Sequence, residues 1–251
     1  MNSEINYELV AKEVFETVNR LRREPQAFVS DLSEMRKNIN GNDYRSPKLD
    51  FSIYTEEGVS AVDDAIKFLN ERKPASALTR TDELDKSAKI LAEYIGPQGL
   101  AEFGSGELSF DRRLASANCE RVTSAECMSL GWSTGKEIVL QLLIDDGNAM
   151  RSNRKNIFRE DFLEIGVFAC PHKVYSHCCI IDFQGRRRSA PLDFDRYAIE
   201  QAEWPPNTIS LEKKLERTSK DGTTIVRLTY EFLTVDGQTI VQTKEFVDGS
   251  R

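Results

Sequence analysis

The stretch that decides the fold lies late in the chain, where residues 165–183 read IGVFACPHKVYSHCCIIDF. Two runs rich in β-branched and aromatic side chains, 165–169 and 174–183, are separated by a turn near Pro171. Short runs of this composition on either side of a turn signal are typical of a β-hairpin. The stretch therefore predicts two antiparallel strands near the end of a domain.

The residues before this hairpin show the three-to-four-residue spacing of amphipathic helices. Such spacing covers residues 7–23, and it returns at 59–69, at 84–95 and in the nearly all-apolar 136–146. Helices that precede a hairpin, rather than alternate with strands, favour an α+β domain built in layers. We therefore predict the α+β class for residues 1–185.

The last part of the chain, residues 205–251, is predicted to be a separate β extension. Asp-Gly pairs at 221–222 and 236–237 each lie between β-forming residues, and this is a strong hairpin signal. Two such turns predict a three-stranded antiparallel β-meander. Alternate side chains of its middle strand form one apolar face, which we expect to dock on another surface: Val226, Leu228, Tyr230 and Phe232.

Residues 186–204 are predicted to be a linker between these parts, and its three leading arginines, 186–188, are expected to be solvated. The whole chain of 251 residues has a net charge of -7, so no basic field is expected to hold a nucleic acid. The longest apolar run, 138–144, is far shorter than the ~20 residues of a membrane span. The first 20 residues do not resemble a signal peptide. With five cysteines interpreted as reduced thiols, we expect a cytoplasmic protein.

Three of the five cysteines and both histidines lie around the hairpin turn and could suggest a zinc site: Cys170, His172, His177, Cys178 and Cys179. Their spacing does not match the paired knuckles of structural zinc sites. Cys178 and Cys179 are adjacent and so point to opposite faces of a strand. We therefore interpret this group as packed strand residues and expect no metal.

A series of motifs also occurs in a characteristic order. They are VNRLRREP at 18–25, AIKFL at 65–69, Glu126 followed by Gly131, LLIDDG at 142–147, RSNRKNIF at 151–158, and the strands with 165–167, His172 and 181–183. In this order they resemble the CAP superfamily of cysteine-rich secretory, antigen 5 and pathogenesis-related 1 proteins, also called SCP-like, in its protist-type branch. The resemblance covers residues 8–185 and implies an α-β-α sandwich.

The resemblance also implies a cleft, because this family typically places two histidines and two glutamates where they can bind a divalent metal. Here Asn153 stands at one histidine position, and the other falls near Glu102, where the chain has no histidine. Glu126 matches one glutamate, and the second has no match. Because an amide is a weaker zinc ligand than an imidazole, we expect a degenerate cleft of Glu102, Glu126 and Asn153 with no metal and no cofactor.

We therefore predict a non-catalytic, intracellular CAP-like protein that binds protein partners as a scaffold component of a larger assembly. By analogy within the family, that assembly is of the cytoskeletal or ciliary kind. The β-meander is the predicted docking element.

Two alternatives stay open. The family is linked to lipid and sterol binding, so a lipid or sterol-type small-molecule binder is the first. A serine hydrolase using Ser133 is the second, because residues 131–135 match the G-x-S-x-G pattern, with Asp161 and either His172 or His177 following in order. That motif requires an apolar strand before it, and residues 124–129, SAECMS, do not resemble one.

Overall fold

The computed structural model describes residues 5–46, 52–119, 123–185, 208–220 and 223–248. The chain divides into two compact units, Met1–Arg187 and Arg188–Arg251. The linker predicted at 186–204 and the turn at 221–222 lie outside the described residues.

The first unit contains seven α-helices among its described residues. These are α1 (Tyr7–Arg23), α2 (Val29–Lys37), α3 (Val59–Glu71), α4 (Asp82–Gln98), α5 (Phe110–Ser116), α6 (Gly135–Ile144) and α7 (Ser152–Phe158), with short 3₁₀ turns at Pro25–Phe28 and Gly106–Leu108. The two longest, α1 and α4, begin with residues that favour a helix N-terminus. The side chain of Asn6 accepts the backbone N–H of Leu9 at the start of α1, and α4 has three acidic residues in its first turn, where the helix dipole favours them.

The central sheet of this unit has four strands in the order β4-β6-β7-β5. They are β4 (Thr79–Arg80), β5 (Ser124–Leu130), β6 (Phe162–His172) and β7 (Ser176–Gly185). Strands β6 and β7 form the predicted hairpin, β5 pairs antiparallel with β7, and β4 pairs parallel with β6. A second, small sheet contains β1 (Ile39–Asn40), β2 (Asp43–Tyr44) and β3 (Ile53–Tyr54).

Helices cover both faces of the four-stranded sheet. On one face, Val14 of α1 and Leu143 of α6 share a buried cluster with Cys179 of β7. On the other face, Leu91 of α4 shares a second cluster with Cys178. Adjacent residues of one strand thus face different helices, as the period of a strand requires. The first unit is therefore an α-β-α sandwich of the α+β class, and both predictions are confirmed.

Helix α4 lies very close to the sheet because of a glycine. A Cβ atom at Gly166 of β6 would lie 2.1 Å from the backbone carbon of Leu84 in α4. Such a separation is far inside van der Waals contact, so only glycine fits at this point. Gly166 thereby sets the distance between the helix and the sheet.

Strand β5 shows that the expectation for residues 124–129 was wrong. The segment SAECMS is a regular strand paired with β7 from Ser124↔Gln184 to Leu130↔Cys178. It mixes polar and apolar side chains, which is compatible with its place at the edge of the sheet and its only partial burial. The continuous apolar run that is typical of a strand buried on both faces was therefore the wrong criterion for this edge strand.

The second unit is a three-stranded antiparallel sheet in the order β10-β9-β8. Its strands are β8 (Thr208–Lys220), β9 (Thr223–Thr234) and β10 (Thr239–Asp248). This confirms the predicted β-meander. Tyr230 and Phe232 of β9 are fully buried within this chain, and their ring centroids lie 6.1 Å apart. The side chains of Val226 and Leu228 lie outside what the structure describes.

Among the residues placed in the structure, no helix combines the length and apolar character that crossing a bilayer requires.

Candidate functional site

The most unusual polar group in the first unit is a buried ion cluster between β5, β7 and α5. The antiparallel register places Glu126 of β5 directly opposite Asp182 of β7. Arg113 of α5 reaches both, with its Nη2 2.5 Å from Glu126 Oε2 and its Nη1 3.8 Å from Asp182 Oδ2. The three side chains are 1%, 6% and 0% exposed for Arg113, Glu126 and Asp182. Two carboxyl groups therefore share one guanidinium out of water.

Arg113 is held in place by the backbone as well as by the acids. Its Nε donates to the carbonyl oxygen of Leu108 at 2.9 Å, and its Nη1 donates to that of Ser87 in α4 at 3.1 Å. These bonds fix the guanidinium plane between α4, α5 and the sheet. Because its guanidinium is fixed, Arg113 neutralises the charge of the buried acids and is not free to move toward a ligand.

The electrostatics of the cluster favour a shared proton. Burial raises the pKa of Glu126, although the charge of Arg113 opposes that shift. Burial and the neighbouring charge of Glu126 raise the pKa of Asp182 well above its ordinary value. Ser87 and Glu126 lie near enough to interact with Asp182, yet neither Asp182 oxygen has a well-aligned hydrogen bond to the described residues. Since like charges this close disfavour double ionisation, we expect the pair to lose its second proton at a higher pH than an isolated carboxyl group would.

A second polar cluster surrounds Asp145, where α6 ends in a left-handed residue with φ of 55°. The carboxylate of Asp145 accepts from the backbone N–H of Asn153 at 2.8 Å and from its side-chain amide at 2.7 Å. It also accepts from the backbone N–H of Arg154 at 3.3 Å and from the amide of Asn148. Asp145 therefore fixes the start of α7, and Asn153 serves that hydrogen-bonding role.

Two arginines extend this cluster to α3. Arg151 forms a two-pronged ion pair with Glu57, with both N···O distances at 2.6 Å. The charge-assisted bonds lower the pKa of Glu57. Arg154 donates to Asp64 of α3 at 2.8 Å and to the carbonyl oxygens at the end of α6. The motif at 142–158 is thus a hydrogen-bonded junction of α3, α6 and α7.

The structure does not bring together the three residues of the expected cleft. Glu126 faces Arg113, whereas the adjacent Cys127 faces the opposite side of β5, where its sulfur lies 4.0 Å from the carbonyl oxygen of Asn153. Glu126 and Asn153 therefore lie on opposite faces of the sheet. Glu102 is exposed in the segment after α4. In the described parts of the chain, no group of three or more metal-binding side chains occurs.

The residues of the hydrolase alternative have other partners. The Nε2 of His172 lies 2.9 Å from the carbonyl oxygen of Leu100, and its Nδ1 accepts two backbone N–H groups. The Nδ1 of His177 lies 2.8 Å from the hydroxyl of Tyr7. The G-x-S-x-G stretch itself is a helix start, because the hydroxyl of Thr134 accepts from the N–H of Glu137 and begins α6. Ser133 therefore precedes a capped helix, and its proposed histidines are engaged elsewhere.

Arg113 and Asp182 were missed as site residues by sequence reasoning. Asp182 had a detectable signal, since an acid within the apolar run CCIIDF is expensive to bury and implies a partner. Arg113 had none, because it lies in a segment without clear periodicity. Only the folded structure shows that α5 places Arg113 beside the acids of the sheet.

The comparisons with known proteins give no family assignment. No family model matches the chain, and no curated protein matches it. Among solved structures, an outer surface protein from Borrelia burgdorferi is similar, with a TM-score of 0.39 and 15% identity, over 65% of this chain and 93% of that chain. An extracellular protein containing an SCP domain from Bacillus anthracis is similar with a TM-score of 0.37 and 18% identity, over 51% of this chain and 38% of that chain. At these TM-scores the likenesses carry no functional argument, and the three-layer architecture rests on the packing described above.

Proposed function

We propose that this chain is a non-catalytic, CAP-like component that binds protein partners within a larger assembly. The supporting observation is that two residues of the expected cleft, Asn153 and Glu126, form hydrogen bonds or ion pairs with other residues of the same domain. Asn153 is bound to Asp145, and Glu126 is bound to Arg113 inside the sheet-helix layer. Side chains whose hydrogen-bonding capacity serves the fold are poorly placed to hold a metal or a substrate.

The β-meander is the proposed docking element. Tyr230 and Phe232 are already buried within this chain, so the surface offered to a partner is the opposite face and the two edges, β8 and β10. On that opposite face Leu233 and Val241 are 37% and 56% exposed. Exposed apolar side chains on an edge strand are typical of surfaces that add a strand or a helix from a partner.

The compartment remains part of the proposal. We propose the cytoplasm as that compartment, and an assembly of the cytoskeletal or ciliary kind is the analogy that the family resemblance offers.

The test is a matched pair of charge substitutions, one on β10 and one on the first unit. Val241→Lys replaces an exposed apolar side chain of β10 opposite Glu231, and Met150→Lys replaces an exposed apolar side chain of the first unit with the same charge. We expect V241K to reduce recovery of the native complex from the source cells at least tenfold, while M150K retains it. Cross-linking mass spectrometry of the wild type should place the partner against β10. Equal recovery for both variants, with cross-links elsewhere, would contradict the proposal.

A further inference from the structure

The hairpin that decides the fold also places two cysteines side by side. In the register of β6 and β7, Cys170 lies directly opposite Cys178. Opposite residues of antiparallel strands have Cα atoms about 4.5–5.5 Å apart, which is within the range that a disulfide spans. Both cysteines belong to the buried cluster under α4. The backbone therefore places the two cysteines at the Cα spacing that a disulfide bridges.

The two thiols also differ in their surroundings. The thiol of Cys170 donates to the carbonyl oxygen of Ala92 in α4 at 3.5 Å. The interaction between the two neighbouring thiols lowers the pKa of Cys170 and raises that of Cys178. Since the thiolate is the nucleophile, Cys170 is the attacking member and Cys178 the second member.

The other three cysteines lack this arrangement. Cys119 is half-buried, and burial with nearby acids raises its pKa to about 11. Cys127 and Cys179 are fully buried on the other face of the sheet, and burial raises the pKa of both. Cys170 keeps 9% of its surface exposed, compared with 2% for Cys178. We therefore expect the rate of thiol oxidation to depend on whether a second cysteine lies opposite, and not on exposure alone.

We propose that Cys170 and Cys178 form a thiol oxidation site that hydroperoxides convert into a cross-strand disulfide. In the first step the Cys170 thiolate attacks one peroxide oxygen, an S–O bond forms, the O–O bond breaks, and the leaving alkoxide takes a proton. In the second step Cys178 loses its proton, its sulfur attacks the Cys170 sulfur, an S–S bond forms, and the S–O bond breaks to release water. Two thiols and one hydroperoxide yield one disulfide, one alcohol and one water.

The sequence makes this site convenient to detect. Lys173 lies between the two cysteines, so trypsin separates them into the peptides 160–173 and 174–186. The full-length protein is treated with one equivalent of hydrogen peroxide or cumene hydroperoxide, alkylated, and digested without reduction. We expect these two peptides to be recovered as one species, lighter by two hydrogen atoms than their sum, and to be released by dithiothreitol.

The adjacent cysteines provide the matched variants. Cys178→Ala should abolish the linked species, while Cys179→Ala, one residue along and on the opposite face, should leave its yield unchanged. In the wild type the linked species should form at least tenfold faster than oxidation of Cys119. Loss of the species in C179A but not in C178A, or faster oxidation of Cys119 in the wild type, would overturn the proposal. The wild-type rate comparison does not depend on the folding of either variant.

Discussion

At the scale of the residue, Arg113 places a positive charge beside two buried carboxyl groups, Glu126 and Asp182. Burying a charge is tolerated when a partner compensates for it and is costly when the partner is removed. The arginine is therefore more important for stability than any exposed ion pair of this domain, such as Arg36 with Asp63.

Replacement of this arginine tests that claim. We expect Arg113→Met to lower the free energy of unfolding by about 3–5 kcal/mol, because it leaves the acids without compensation. The neighbouring Arg112 is 66% exposed, so Arg112→Met should change the free energy by less than about 0.5 kcal/mol. Urea unfolding followed by circular dichroism measures both. Similar losses for the two variants would show that the buried cluster has no special role.

The raised pKa of Asp182 gives the stability a pH dependence with a definite sign. The pKa of Asp182 is raised on folding above its ordinary value of 3.8. The folded state therefore binds the proton more tightly, and its stabilising effect is complete below about 3.8 and is lost as the pH rises through the higher pKa of the folded state. Asp182→Asn mimics the protonated acid.

We expect the urea midpoint of the D182N variant to fall less than that of the wild type between pH 4 and pH 8. Acids with lowered pKa values, such as Glu57 and Asp64, act in the opposite direction. They are common to both proteins, so their effects cancel in the difference. Parallel midpoint curves would mean that Asp182 is ionised across this range.

At the scale of the element, the contact between α4 and β6 depends on Gly166. A methyl group at this position would meet backbone of α4 at 2.1 Å, which neither element can avoid by a side-chain rotation. We expect Gly166→Ala to lower the free energy of unfolding by about 3 kcal/mol through overpacking. At Gly41, with φ of 61° and nothing within 4 Å of an added Cβ, the same substitution should cost only about 1 kcal/mol of backbone strain. Equal losses in the free energy of unfolding for the two variants would indicate that α4 can move away from the sheet at little cost.

The elements also show what the sequence could and could not predict. The meander was predictable because Asp-Gly turns act locally, and the hairpin of β6 and β7 because its strands are mostly buried and rich in apolar side chains. Strand β5 was not, since SAECMS follows no strand pattern and is defined by its pairing with β7. The expected cleft failed for a related reason. The side to which Glu126 points depends on the register of that unpredicted strand.

At the scale of the whole molecule, the first unit has a hydrophobic core of its own. It consists of two buried clusters, one on each face of the sheet. We expect residues 1–187 expressed alone to unfold cooperatively, with a thermal midpoint within about 5 °C of the first transition of the full chain. Differential scanning calorimetry and an amide NMR spectrum measure this. A truncated protein without a cooperative transition would show that the unit is not autonomous.

The layer order has a consequence for how the chain is made. Helix α4, at Asp82–Gln98, presents Leu91 and Ile95 to Ile180 of β7, which is synthesised 89 and 85 residues later than they are. On the ribosome the apolar side of this helix is therefore without its partner until the hairpin has left the exit tunnel. Since β4 must also wait for β6, the N-terminal half cannot complete its native packing as it emerges. Biosynthetic folding of this domain is consequently a late event, triggered by the same nineteen residues that define its architecture, 165–183.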